Sequence, residues 1–207
     1  MGMEKQNQNC CGCSACYNVC PNNAIEMKAD SYGFDIPTIN KEKCTNCGLC
    51  DKVCPNRKKI DNKFEKIAYA AFNKNDDERI KSSSGGIFIL LAEKIIDQKG
   101  IVFGAYVDDE NKVQHGYASD RKSLKKFMGS KYVQSRIGDS YKIAKDFLEK
   151  GTIVFFTGTP CQIEGLKSYL MKDYSNLYTQ DIICHGVPSP LVWEKYKKYR
   201  NIRFCTS

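Results

Sequence analysis

The chain has 207 residues, a formal net charge of +8, 42% hydrophobic residues and 12 cysteines, enough for one or two packed domains. No segment reaches the ~18 apolar residues of a membrane-spanning helix, and the longest candidate, from Gly85 to Ala92, is stopped by Glu93 and Lys94. Met1 to Asn9 is polar and has no apolar signal region, lysines are dispersed along the chain, and the cysteines are clustered; these features argue against a secreted disulfide protein, a membrane span or a nucleic-acid reader, and for a reducing cytoplasm.

Residues 1–60 carry one cysteine pattern written twice. Cys10-x2-Cys13-x2-Cys16-x3-Cys20-Pro21 recurs 34 positions later as Cys44-x2-Cys47-x2-Cys50-x3-Cys54-Pro55. This is the ligand spacing of two [4Fe–4S] clusters. Iron in such clusters takes soft thiolates. Three cysteines at i, i+3 and i+6 wrap one cube, and the fourth reaches the other. The expected grouping is therefore crossed: Cys10, Cys13, Cys16 and Cys54 for the first cluster, and Cys44, Cys47, Cys50 and Cys20 for the second. Structural zinc is disfavoured, because its sites use separated C-x2-C pairs. Cys11 falls outside the pattern and reads as a bystander. Between the copies, Ala24 to Met27 reads as a strand, Asp30 to Gly33 as a turn and Phe34 to Ile39 as the return strand. The whole segment resembles a bacterial-type two-cluster ferredoxin domain.

Asn56 to Lys66 is polar and reads as a linker. Beyond it, expected strands are Ile67–Phe72, Ile101–Val107, Val113–Ala118, Thr152–Phe156 and Tyr178–Ile183. Expected helices are Ile87–Gln98, Tyr141–Lys150, Gln162–Leu170 and Pro190–Tyr199. Alternating elements argue an α/β or α+β sheet domain over residues 65–207, and α+β as the class of the whole chain. Two turns at strand ends and helix starts draw attention, because ligands of open sheets bind there. Ser82 to Gly86, with Ser83, Ser84, Gly85 and Gly86, offers hydroxyls and backbone N–H groups to an anion, or simply caps the next helix. Cys161, in Gly158-Thr159-Pro160-Cys161, and Cys184, after the following strand, belong to neighbouring strand ends that can bring the thiols together, or are two isolated buried cysteines. Lys131 could face a phosphate or a flavin, or solvent. His115 reads as a structural histidine on a strand, and His185, beside Cys184, as a candidate catalytic group. Trp193, Tyr196 and Tyr199 read as helix packing, and Lys195 to Arg200 as a solvated helix face.

Four ordered motifs in the second segment carry a resemblance: Ser83 to Gly86, Gly129 to Ser135, Gly158 to Gln162 and Cys184 to Pro190. Over about residues 65–200 the chain resembles the coenzyme F420 hydrogenase/dehydrogenase beta-subunit family. That resemblance implies an F420H2 dehydrogenase-like flavin oxidoreductase. FAD would exchange a hydride with a flavin- or deazaflavin-type substrate and single electrons with iron–sulfur clusters. Ser83, Ser84, Gly85, Gly86, Lys131 and Thr159 would bind cofactor, and His185 would serve catalysis. It also implies a third cluster with Cys161 and Cys184 among its ligands. Members of the family continue beyond Ser207, and Cys205 is the one cysteine after Cys184, so the third site and the C-terminal end of the domain are expected to be incomplete. A redox partner protein is expected. The alternative is a ferredoxin-like electron-transfer module that docks to a partner; a redox sensor without turnover lacks any recognisable DNA-reading element.

Overall fold

The computed structural model describes residues 10–57 and 67–200. Most of the expected linker and the Cys205 tail lie outside the described residues.

The N-terminal module is built on the hairpin of β1 (Ile25–Ala29) and β2 (Asp35–Ile39), antiparallel with Ile25 opposite Ile39. The Asp30 carboxylate closes the turn by accepting the Tyr32 and Phe34 N–H groups, each at 2.9 Å. The cysteine loops lead into α1 (Ala15–Val19) and α2 (Leu49–Lys52), with a 3-10 turn at Pro55–Arg57. The sequence repeat is also a backbone repeat. Gly12 and its counterpart Asn46 have φ of 67° and 53°, and Ser14 and its counterpart Gly48 have φ of 63° and 73°. Two left-handed residues in each loop curl the chain tightly, at a cost that Gly and Asn keep low.

The second module contains α3 (Asp76–Ile80), α4 (Ile87–Asp97), β3 (Ile101–Val107), β4 (Val113–Ala118), α5 (Arg121–Leu124), α6 (Ser140–Glu149), β5 (Val154–Gly158), α7 (Pro160–Leu170), β6 (Leu177–Asp181) and α8 (Pro190–Arg200). The sheet order is β4-β3-β5-β6. β3, β5 and β6 run parallel, and β4 returns antiparallel along β3. Consecutive apolar residues on β3 and β5 face opposite sides, as a sheet covered on both faces requires. Val102 and Phe155 pack with Ile89, Ala92 and Ile95 of α4 and with Leu124 and Phe127. Ile101, Phe103, Val154 and Phe156 pack with Tyr141, Ala144 and Leu148 of α6 and Ile163, Leu166 and Leu170 of α7. This second core also contains Cys13, Ala15 and Val53 of the cysteine-rich module, all buried. The two modules thus share one hydrophobic core.

Most expected elements form within a residue or two of their expected ends, and the exceptions have physical causes. Ile67–Phe72 is not a strand: it has no ladder partner among the described residues, and Ile67, Tyr69 and Phe72 are exposed. β5 starts two residues late and runs to Gly158, because β6 keeps pairing with it as far as Asp181. α7 starts at Pro160 rather than Gln162. Proline suits the first helical turn, and the Gln162 side chain accepts the Thr159 N–H at 3.0 Å, the reciprocal half of a capping box. α3 and α5 were not expected. They start at Asn75 and Asp120, whose side chains accept the N–H groups of Glu78 and Ser123. On α8, Trp193 and Tyr196 stack on each other at 5.9 Å, whereas Tyr199 is exposed.

The contact between modules turns on Gly165 of α7. A Cβ there would lie 2.9 Å from the Cβ of Cys13, 2.9 Å from the Tyr141 hydroxyl and 3.1 Å from the Cys13 sulfur. In an open helix, Gly→Ala stabilises by up to about 1 kcal/mol. Here overpacking reverses the sign. Gly165→Ala is expected to destabilise the protein by about 1–3 kcal/mol, read from the midpoint of urea unfolding.

Candidate functional site

The two cysteine repeats place their thiols in two groups. The second group encloses a cavity of about 260 Å³ bounded by Cys20, Cys44, Cys47 and Cys50, with Ala24, Ile25, Ile39 and Leu49 as apolar wall. Cys20, from the first repeat, thus faces three cysteines of the second. Its sulfur accepts the Ala24 N–H at 3.3 Å. Burial, then the charge of Asp51, raises the Cys50 pKa. Cys47 is exposed.

The first group lies against α7. Burial pushes the Cys16 thiol up to about 12, and the neighbouring Cys10 and Cys54 add to the shift. Cys10 is raised by burial and by the charges of Cys54 and Cys161, while its sulfur accepts the Gly12 N–H at 3.4 Å. Cys13, 8% exposed, is turned toward Gly165 and Tyr141. Its hydrogen bond to Cys11 raises the Cys11 thiol to about 11. Cys11 also shares a hydrogen bond with Cys161, and that bond, followed by burial, raises Cys161 strongly. Burial thus favours the protonated form of these thiols, and binding iron must release their protons. Among the described residues no three His, Cys, Asp or Glu side chains converge on a single ion. A cube asks for a different arrangement, with one thiolate per iron and the ligands standing apart, so four thiols around an open cavity suit the cluster chemistry.

The loop Cys10–Cys13 is gripped from the other side by the segment that follows Gly129. The Gln134 amide donates to the Cys11 carbonyl at 3.4 Å, and Gly12 leaves room for it: a Cβ there would lie 2.5 Å from the amide nitrogen. Arg136 pairs with Asp35 at 2.8 Å.

The candidate residues of the second module are placed as follows. Ser83 Oγ accepts the Ser130 N–H at 2.7 Å, which joins the Ser83–Gly86 and Gly129–Ser135 motifs into one surface. Ser84 is exposed, and Gly85 backs onto the Ala71 carbonyl. Gly86, at φ 72°, caps α4. Lys131, lowered to about 8 by burial, donates to the Met128 and Lys126 carbonyls at 2.7 and 3.1 Å. Thr159 Oγ1 lies 3.1 Å from the Cys161 sulfur. Cys161 turns toward Cys11, while Cys184 is exposed and accepts the Gly186 N–H at 3.4 Å. His185 is exposed.

His115 is held inside the fold. Its Nε2 lies 2.9 Å from the Thr157 carbonyl, so Nε2 carries the proton and donates it. Nδ1 then accepts the Ser135 hydroxyl at 2.8 Å, and Gln162 donates to the same hydroxyl oxygen at 3.0 Å. The ring stacks on Phe156 at 5.5 Å. The reading of His115 as structural agrees with this geometry.

A doubled thiol-loop module is seated on a mixed sheet, and its cysteine spacing is that of iron–sulfur cluster ligands. Comparison with protein families finds two matches: a 4Fe-4S dicluster domain over residues 9–58, and the C terminus of the coenzyme F420 hydrogenase/dehydrogenase beta subunit, over residues 151–206. Among solved structures, the F420-reducing [NiFe] hydrogenase complex from Methanosarcina barkeri is similar, with 19% sequence identity and a TM-score of 0.50. The similarity covers 64% of this chain and 49% of that one, so the chain spans about half the length of this relative. No curated protein matches the chain. No helix among the described residues is long and apolar enough to cross a membrane.

Sequence reasoning missed Cys11, Gln134, Tyr141 and Gly165 as parts of this site. A glycine in mid-helix and a surplus cysteine inside a ligand loop were the available signals for two of them. Gln134 lay within the Gly129–Ser135 motif, and Tyr141 carries no pattern of its own.

Burial lowers the His115 pKa to about 4. As pH falls below the ordinary value near 6.5 the unfolded chain takes up a proton that the folded ring refuses until about pH 4. The contribution is complete above pH 6.5 and is lost as pH falls through this window, about 3 kcal/mol in all. The His115 ring is expected to remain the neutral Nε2–H tautomer at pH 5.5, as read by nitrogen-15 NMR of labelled histidine.

Proposed function

We propose that this chain is an iron–sulfur oxidoreductase that moves electrons between a two-electron carrier, of the F420, flavin or nicotinamide type, and two [4Fe–4S] clusters. Cys10, Cys13, Cys16 and Cys54 hold the first cluster, and Cys20, Cys44, Cys47 and Cys50 the second. The boundary between the modules falls in residues 60–65. The observation that carries the reading is the meeting of Cys161 with the Cys10–Cys13 loop: the start of α7 and the thiols of the first cluster share one interface. When bound, the clusters supply one-electron relay and FAD the conversion between hydride and single electrons. The chain's own residues supply the rest. Gly165 and Gln134 seat the first loop, Tyr141 and Cys13 keep water from it, and the joined Ser83 and Ser130 loops, with Lys131 behind them, offer a surface for cofactor. His185 stands free to exchange protons with substrate. Cys161 and Cys184 are two candidate ligands of a third cluster. A reducing cytoplasm keeps so many thiols available.

A second reading, an electron-transfer module that docks to a partner, is favoured by one observation. Lys131, Ser83 and Thr159 spend their hydrogen-bonding groups inside the protein. Anaerobic purification with iron, sulfide and flavin analysis separates the two. Flavin with about eight irons per chain supports the enzyme. Eight irons without flavin leaves the docking module, and flavin with about twelve shows the third cluster.

Cys20→Ser is expected to damage the second cluster selectively, seen as loss of one of two paramagnetic signals in the reduced protein. Loss confined to the first cluster would overturn the crossed grouping.

A further inference from the structure

The two thiol groups differ in access to solvent. The first is closed over by α7, with Cys13 buried against Gly165 and Tyr141. The second opens outward: its cavity is rimmed by Thr45, Asn46, Cys47 and Gly48, all exposed. A Cβ on Gly48 would meet nothing within 4 Å, so backbone at this mouth is bare. An external redox protein can therefore approach the second cluster at the Thr45–Gly48 loop, where Cys47 is exposed, whereas Cys13 of the first group is buried against α7.

Basic side chains outnumber acidic ones around this mouth. Lys43 directly precedes Cys44, Lys52 follows Asp51, and Lys41 lies on the same turn, where the Asn40 side chain accepts the Glu42 and Lys43 N–H groups. All three lysines are exposed. Two exposed acids lie beside them, Glu42 and Glu26, the latter paired with Lys28 at 2.9 Å, and Asp51, which lines the cavity, is paired with Arg57 at 3.3 Å. Complementary charge chiefly steers encounter and sets specificity, and it weakens as salt screens it.

We infer that the Thr45–Gly48 loop, framed by Lys41, Lys43 and Lys52, is the docking face for an acidic one-electron carrier protein. The inference rests on the two-cluster reading above. One electron crosses this face, and no bond is made or broken and no proton moves.

The test uses the full chain carrying its clusters, with rubredoxin as a small acidic one-electron protein and a basic cytochrome c as the opposite-sign control. Affinity is measured by titration calorimetry. Rubredoxin is expected to bind at least about tenfold more weakly at roughly 300 mM than at roughly 20 mM salt. The triple variant Lys41→Glu, Lys43→Glu, Lys52→Glu should weaken it at least about tenfold while iron and sulfide content stay unchanged, and should strengthen cytochrome c binding. Lys195→Glu with Lys198→Glu, on the exposed basic face of α8, should leave rubredoxin binding unchanged. Rubredoxin binding that ignores the triple variant, or that is lost only in the α8 variant, overturns this proposal and leaves the two-cluster reading intact. A chain that assembles no cluster among Cys20, Cys44, Cys47 and Cys50 overturns both.

Discussion

The fold depends on one close approach. The loop carrying Cys10, Cys13 and Cys16 can lie on α7 only because Gly165 has no side chain where the Cys13 sulfur and the Tyr141 hydroxyl meet. Tyr141 is fully buried and donates its hydroxyl to the Gln162 carbonyl at 2.7 Å, so the same contact fastens α6 to α7. From there the packing spreads through Phe156 into the sheet, and through Ala15 and Val53 into the cysteine-rich module. A small metal-binding domain has too little apolar surface to hold itself firmly. This one borrows the interior of its neighbour.

That seat also explains the polar chain beneath it. Gln162 accepts the Thr159 N–H and donates to Ser135; Ser135 donates to His115; His115 donates to Thr157. Each group is paired, so the buried network costs little. It ties the start of α7, where Cys161 sits, to β4 and β5. A thiol anchored this way keeps a fixed position relative to the cysteine loop.

Much of this was legible in the residues. The doubled cysteine pattern led to a crossed grouping, because i, i+3, i+6 spacing leaves the fourth thiol pointing elsewhere, and Cys20 lines the second cavity together with Cys44, Cys47 and Cys50. The comparison with known families finds the same two resemblances that the motifs carried. Helices and strands of the sheet followed from hydrophobic periodicity and from Gly and Pro at their ends. What stayed hidden depends on tertiary packing. Ile67–Phe72 has a strand's composition, but strand formation needs a partner. Lys131, whose motif left phosphate, flavin and solvent open, donates its amine to two carbonyls of its own turn. Cys11 looked idle because spacing speaks only about its own loop, and the thiol it meets is 150 positions away in the chain.

The shared core has a consequence for the life of the protein. Ala15 and Val53 each sit one residue from a cysteine, Cys16 and Cys54, in loops whose curl includes left-handed backbone at Gly12, Ser14, Asn46 and Gly48. If those loops relax when iron is lost, the side chains that plug the lower face of α7 leave with them, and apolar surface of the sheet module is uncovered. The cysteine loops are thus also the stopper that seals the interior of the neighbouring module.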